Sequence, residues 1–175
     1  RALQFNRAAA TGQYLYVPQD ENQALQSWTL ECWVKPDADE VDGGVLIRRA
    51  SPTVTNYELG LDIDANGRLR PYGRFTGISG TPYKVGGTET NAPAEHIAIE
   101  NRSLVIPHGE WTHVSATFDH DTGILALYID AERVAYRMNI AEGTDVGMVW
   151  STVLTIGGYS GAASSAEFAG LIDEA

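Results

Sequence analysis

The chemistry open to this chain starts with its carboxylates. Asp37, Asp39, Glu40 and Asp42 form the densest acidic group in the sequence. Calcium asks for about six to eight oxygen ligands, with carboxylates supplying charge. This group lacks the later ligands and the sixth-position glycine of an EF-hand loop, so it reads as a solvated loop. Asp62 and Asp64 stand two apart, on one strand face, but they abut the turn signal Asp64-Ala65-Asn66-Gly67 and read as a solvated edge. The four histidines, His96, His108, His113 and His120, show no metal-ligand spacing such as His-x-x-x-His. No Gly-x-Ser-x-Gly nucleophile elbow occurs, and the glycine-rich stretches precede no helix that would cradle a phosphate. Asn101-Arg102-Ser103 fits an N-glycosylation acceptor.

Aromatic side chains offer a second chemistry. A saccharide is held by ring faces against its C–H surface, with amides and charges bonding its hydroxyls. Tyr57, Tyr72, Arg74, Tyr83, Trp150 and Tyr159 are the candidates for such a face or rim. Trp28, Trp33 and Trp111 lie in alternating segments and are expected in the core. Cys32, the one cysteine, sits in the same kind of segment and reads as a buried, inert thiol.

Charge and length bound the partners. The chain has 175 residues and a formal net charge of −11. Phosphate binding needs clustered Lys and Arg, so nucleic acid is excluded as the main partner, as is an anionic membrane surface. No run of about 18 apolar residues exists, so no membrane-inserted helix is expected. The length suggests one domain spanning residues 1–175. The chain opens on Arg1 without a signal peptide and stops inside an alternating segment at residues 171–175. It is therefore expected to be a piece of a longer chain, with other domains of that chain among its partners.

The elements that must position these residues are strands. Period-two alternation recurs over residues 13–17, 28–35, 45–48, 57–63, 68–75, 96–99, 111–118, 124–129, 133–139, 153–156 and 168–173. Short strands at close spacing indicate an all-β sandwich or barrel. The connections Asp119-His120-Asp121-Thr122-Gly123 and Asp130-Ala131-Glu132 make residues 111–140 a three-stranded meander. Residues 20–27 have room for one helical turn. Residues 76–94, glycine-rich with Pro82, Pro93 and Tyr83, read as a long loop, either a binding rim or a neutral insertion. Residues 157–166 are a second glycine-rich stretch.

Several segments in order carry a family look. They are Ala2-Leu3-Gln4-Phe5-Asn6, Tyr16-Val17-Pro18, residues 28–36, Tyr57-Glu58-Leu59-Gly60-Leu61, Gly109-Glu110-Trp111-Thr112-His113-Val114, Leu127-Tyr128-Ile129-Asp130, Leu154-Thr155-Ile156-Gly157-Gly158 and residues 168–174. The chain resembles the laminin-G-like, pentraxin-related branch of the concanavalin A-like lectin/glucanase superfamily. The resemblance implies a jelly-roll sandwich of two curved antiparallel sheets. It implies an extracellular or cell-surface module that binds carbohydrate or a protein partner, often with calcium (Ca2+). Asn56 matches the Asn of the pentraxin calcium pair, but Thr55 stands where its Asp belongs. The late loop carries no carboxylate before Glu167, which argues against a pentraxin-type double site. First and last strands are neighbours in such modules, so Asn6 and Asp173 are expected to approach and share a cation, joined by Asp20. The carboxylate pattern Glu-x-Asp-x-x-Glu of the superfamily's glycosidases is absent. The expected role is thus a non-catalytic binding module. A structural or adhesion spacer is the alternative, and a glycoside-active enzyme comes third.

Overall fold

The computed structural model describes residues 1–6, 13–18, 25–40, 42–50, 55–87, 97–99, 104–138, 140, 146, 153–159 and 167–175. Among the described residues thirteen strands, all antiparallel, form two sheets: β1 (Leu3–Phe5), β2 (Leu15–Val17), β3 (Trp28–Pro36), β4 (Gly44–Ala50), β5 (Thr55–Ile63), β6 (Leu69–Thr76), β7 (Pro82–Gly86), β8 (Ile97–Ile99), β9 (Thr112–Asp119), β10 (Ile124–Ile129), β11 (Glu132–Arg137), β12 (Val153–Ile156) and β13 (Gly170–Asp173). The seven-stranded sheet runs β1-β13-β3-β9-β10-β11-β8, and the six-stranded sheet runs β2-β12-β4-β5-β6-β7. This is a jelly-roll sandwich, and β9-β10-β11 is the expected meander. No helix among the described residues is long and apolar enough to cross a membrane.

The alternation works as pleat geometry requires. In β3, Trp28, Leu30, Cys32 and Val34 are buried while Thr29, Glu31 and Trp33 are exposed. Burial, reinforced by the charge of Glu31, pushes the Cys32 thiol up to about 12, so it stays protonated and unreactive. Between the sheets, Trp28 packs against Tyr57, Phe75 and Phe118 with ring centroids 5.7, 6.3 and 6.4 Å away. Gly73 faces inward, where a Cβ would stand 2.6 Å from that of Ala116, so glycine lets the two sheets close there.

Four expectations are corrected. Trp33 and Trp111 are 39% and 41% exposed, because Trp33 takes the solvent-facing parity of β3 and Trp111 lies just outside β9, one residue before its buried Thr112. The glycine-rich residues 76–94 are not one loop: Pro82–Gly86 pairs with β6 as the edge strand β7. Pro82 is tolerated because it opens that edge strand. The acidic segment 37–42 is not wholly solvated. Glu40 is buried and accepts hydrogen bonds from the backbone N–H groups of Asp42, Gly43 and Ala169, tying the β3–β4 turn to the approach to β13. The edge carboxylate Asp64 instead caps its own turn, accepting from the backbone of Asn66 and Arg68 and pairing with Arg68 and Arg70. Of the supposed helical turn, residues 20–24 lie outside the described residues, and Leu25 to Ser27 is non-helical.

Candidate functional site

One polar row crosses all six strands of the smaller sheet. Cross-strand pairing aligns Tyr16 of β2, Thr155 of β12, Arg48 of β4, Glu58 of β5, Arg74 of β6 and Lys84 of β7. The parity of β5 explains the face. Tyr57, Leu59 and Leu61 enter the core, so Asn56, Glu58, Gly60 and Asp62 point outward. Outward residues of a sandwich are normally wet. Here Asn56 is 2% exposed and Glu58 is fully buried.

Glu58 is the centre of the row. Its Oε1 accepts from the Tyr72 hydroxyl at 2.6 Å and from Arg74 Nη2 at 2.8 Å. Its Oε2 stands 3.1 Å from Arg48 Nε, an ion pair without hydrogen-bond alignment. Burial, then the Glu58 charge, hold the Tyr72 phenol well above its ordinary value, so it stays a neutral donor. Burial opposes the charge on Arg74, but Glu58 outweighs it and raises that guanidinium further. Lys84 pairs with Asp62 and lies 4.4 Å from the Tyr72 ring centroid. The Arg48 guanidinium lies over the Tyr159 ring, 3.9 Å from its centroid.

Polar atoms on this face remain unused. Arg48 Nε and Nη1, Arg74 Nε, Asn56 Oδ1 and Thr155 Oγ1 are buried with no hydrogen-bond partner among the described residues. Buried polar groups without partners are uncommon in folded proteins, and they collect here on one sheet face. The face therefore interleaves spare donors with spare acceptors.

The laminin G model of the concanavalin A-like lectin/glucanases superfamily matches residues 9–175. The chain belongs to this superfamily. No curated protein matches the chain significantly by sequence. Several solved structures share the laminin G-like fold. A putative carbohydrate binding protein from Bacteroides ovatus is 21% identical, with a TM-score of 0.62 over 99% of this chain and 41% of that one. Domains LG4-5 of the mouse laminin α1 chain are 14% identical, with a TM-score of 0.62 over 98% of this chain and 40% of that one. The Ruminococcus gnavus IT-sialidase CBM40, bound to α2,3-sialyllactose, is 14% identical, with a TM-score of 0.59 over 98% of this chain and 85% of that one. The laminin G-like chain thus spans about two fifths of the first two relatives.

Within this laminin G-like sandwich the sequence candidates divide. Asn56, Tyr72 and Arg74 share the outer face of the six-stranded sheet, and Tyr159 joins them through Arg48. Tyr57 does not, because its odd position in β5 turns it onto Trp28 in the core. Tyr83 also turns inward, stacked on Phe75 at 4.9 Å with Arg137 5.0 Å from its ring, at the open margin of the sandwich. Trp150 lies outside the described residues. Sequence reasoning missed Arg48, Glu58, Lys84 and Thr155. The available signal was Glu58 itself, a lone acid inside Tyr57-Glu58-Leu59-Gly60-Leu61.

The expected cation ligands do not converge. β1 and β13 do pair, but antiparallel, with Leu3 opposite Ile172 and Phe5 opposite Gly170. Continuing that register puts Asp173 opposite Ala2 and Asn6 opposite Ala169. The two residues therefore sit at opposite ends of the ladder, roughly 13 Å apart along the strand. Asp20 lies outside the described residues, and among those described no three His, Cys, Asp or Glu side chains gather as a metal group. Asn6 and Asp173 thus do not fit a shared calcium ion.

Proposed function

We propose that this domain is a non-catalytic, glycan-binding module of an extracellular protein, binding through the outer face of its six-stranded sheet. One observation carries the reading: Arg48 Nη1 and Arg74 Nε, donors without a hydrogen-bond partner among the described residues, share this face with Asn56 Oδ1 and Thr155 Oγ1, acceptors without one among those residues. A sugar hydroxyl both donates and accepts, so a saccharide answers both kinds of group at once. Tyr159, half-buried beside the Arg48 guanidinium, supplies aromatic surface at the same place. Two structural neighbours, a putative carbohydrate binding protein and a CBM40 bound to sialyllactose, support the class of partner. The test is a printed glycan array probed with the folded domain. Binding that falls at least tenfold in Arg74→Ala supports the proposal, and a silent array overturns it.

Trp33 and Trp111 favour a second reading, an adhesion or spacer module that docks on another protein. Trp33 is exposed on β3 and Trp111 just before the neighbouring strand β9 of the seven-stranded sheet, and exposed aromatics are enriched at protein interfaces. Under that reading, Trp33→Ser with Trp111→Ser abolishes protein capture and leaves glycan binding untouched.

A further inference from the structure

We infer that the Trp33–Trp111 patch on the outer face of the seven-stranded sheet docks a basic segment of a partner protein, one lysine or arginine side chain lying on the Trp33 indole with its charge between Glu31 and Asp173. The inference rests on the docking reading of these tryptophans and names the chemistry of their partner. It does not depend on the glycan-binding face. Register builds the patch. Trp33 stands between Asp173 of β13 and His113 of β9, and continuing the β3–β9 pairing by one residue puts Trp111 opposite Lys35. Glu31, Trp33 and Lys35 alternate along β3 and share its outward side. The His113 ring meets the Trp33 indole edge-on at 5.4 Å and braces it, yet both indoles stay open to solvent.

Charge complementarity selects the partner. Next to the two indoles, by register or by sequence, stand the carboxylates of Glu31, Asp173 and Glu110 and the cation of Lys35, with histidine taken as neutral. Three carboxylates less one cation leave two negative charges in excess. Arg133 is three strands away from β3, over the Tyr136 ring, and Arg1 and Glu174, exposed at the end of the β1–β13 ladder, cancel in charge. A neutral or acidic partner would cover these carboxylates without pairing them, which is costly, whereas a basic one pairs them and is steered onto the patch. Tryptophan is also the side chain whose ring face attracts a cation most strongly. The geometry suits a single cation. Trp33 and Asp173 are direct cross-strand neighbours, with Cβ atoms about 5 Å apart by sheet geometry. Glu31 is two residues along the same strand, roughly 7 Å away. The Glu31 side chain is 60% exposed, and its Oε2 lies 3.9 Å from His113 Nε2, too far for a hydrogen bond. Asp173 is held in place by the Glu174 backbone N–H, which donates to its Oδ1.

The experiment is calorimetry of the folded domain with synthetic peptides of equal length, lysine–serine and arginine–serine repeats set against glutamine–serine and glutamate–serine repeats. The expected result is binding about tenfold or more tighter for a basic peptide than for the neutral one, weakening as salt rises from about 50 to 500 mM. Trp33→Ser should erase that preference, and Glu31→Gln and Asp173→Asn should each weaken it. Asp121→Asn removes the same charge from the exposed turn at the far end of β9 and should leave binding unchanged. A loss in Asp121→Asn equal to that in Asp173→Asn overturns the inference, because net charge alone then explains the binding. Tighter binding of a chitosan oligosaccharide than of a peptide of equal charge overturns the protein partner in favour of an amino sugar. Equal binding of basic and neutral peptides, or none, also overturns the inference. Protein capture that still disappears in Trp33→Ser with Trp111→Ser then keeps the docking reading, and capture unchanged in that variant removes it as well.

Discussion

The hydroxyl of Tyr72 reaches Oε1 of Glu58 across the bare backbone of Gly60. The hydrogen bond is 2.6 Å long, and a Cβ on residue 60 would fall 2.5 Å from that same hydroxyl. Glycine at this position is therefore a steric requirement of the site rather than of a turn. The Tyr72 ring fills the place of the missing side chain, seals one flank of the carboxylate and offers its own face to Lys84.

Gly60→Ala should accordingly act on Glu58 at second hand. The new methyl drives the Tyr72 ring aside, an overpacking that costs about 1–3 kcal/mol. It also breaks the hydrogen bond to a buried carboxylate, worth about 1.5–3 kcal/mol. Urea unfolding should show a lower midpoint with an unchanged slope. In Tyr72→Ala the same glycine substitution should cost much less, since the obstruction is gone. Equal costs in both backgrounds would show that the ring does not depend on Gly60.

Glu58→Gln keeps the shape of the side chain and removes its charge. Arg48, mostly buried, then loses the carboxylate it pairs with among the described residues, and removing one partner of a buried ion pair destabilises by about 3 kcal/mol or more. Arg74→Gln should cost less, because its side chain is 41% exposed and water screens it. Paired urea titrations give the order of the two variants directly. A smaller loss for Glu58→Gln than for Arg74→Gln would remove Glu58 from the centre of the row.

The sandwich was legible because period two is a local property. The inward parity of Trp28, Leu30, Cys32 and Val34 is written in one strand and needs no partner to be read. The site was legible only in part, because it is made by register. Arg48, Glu58 and Arg74 are neighbours through two cross-strand pairings that no local pattern specifies. The bulges between Val45 and Ile47 and between Arg49 and Ala50 also shift the parity of β4, so Arg48 cannot be assigned to a face by counting. Asn6 and Asp173 failed for the same reason in reverse. Adjacency of the first and last strands was foreseen, but direction and register decide which residues meet. Gly157 shows a motif whose cause only the fold reveals. Its φ is +83°, and a Cβ there would stand 2.3 Å from the Phe5 ring of β1.

Acid should loosen the turns before it loosens the core. At Asp64 burial raises the carboxyl, but hydrogen bonds from Arg68, Arg70 and Asn66 outweigh it and hold the group well below the usual carboxylate range. At Asp119 the Thr122 hydroxyl, then the Asp121 backbone N–H, lower it likewise. A folded value below the unfolded one means that the unfolded chain binds more protons as pH falls. Both contributions are therefore present above about pH 4, the unfolded value, and are lost as pH drops through the folded values. Urea midpoints measured from pH 6 to pH 2 should fall in that window for the native chain. In Asp64→Asn with Asp119→Asn the acid-dependent part of the fall should shrink, and an unchanged profile would assign the acid sensitivity elsewhere.

Tryptophan substitution separates the two faces of β3. Trp28 is 4% exposed and touches three aromatic rings, so Trp28→Ala should cost about 3–5 kcal/mol and abolish cooperative unfolding in a marginal background. Trp33 alternates to the other face, where it meets the His113 ring edge-on at 5.4 Å, and Trp111 lies exposed two residues before that histidine. Neither supports the core. Trp33→Ser and Trp111→Ser should each shift stability by no more than about 0.5 kcal/mol. Acrylamide quenching in a Trp150→Phe background gives an independent readout: the fluorescence lost on deleting Trp33 and Trp111 should be the readily quenched fraction, and the fluorescence left by Trp28 the protected one. A destabilisation by either serine variant comparable to that of Trp28→Ala would place these indoles in packing, and would remove the seven-stranded sheet as a docking face.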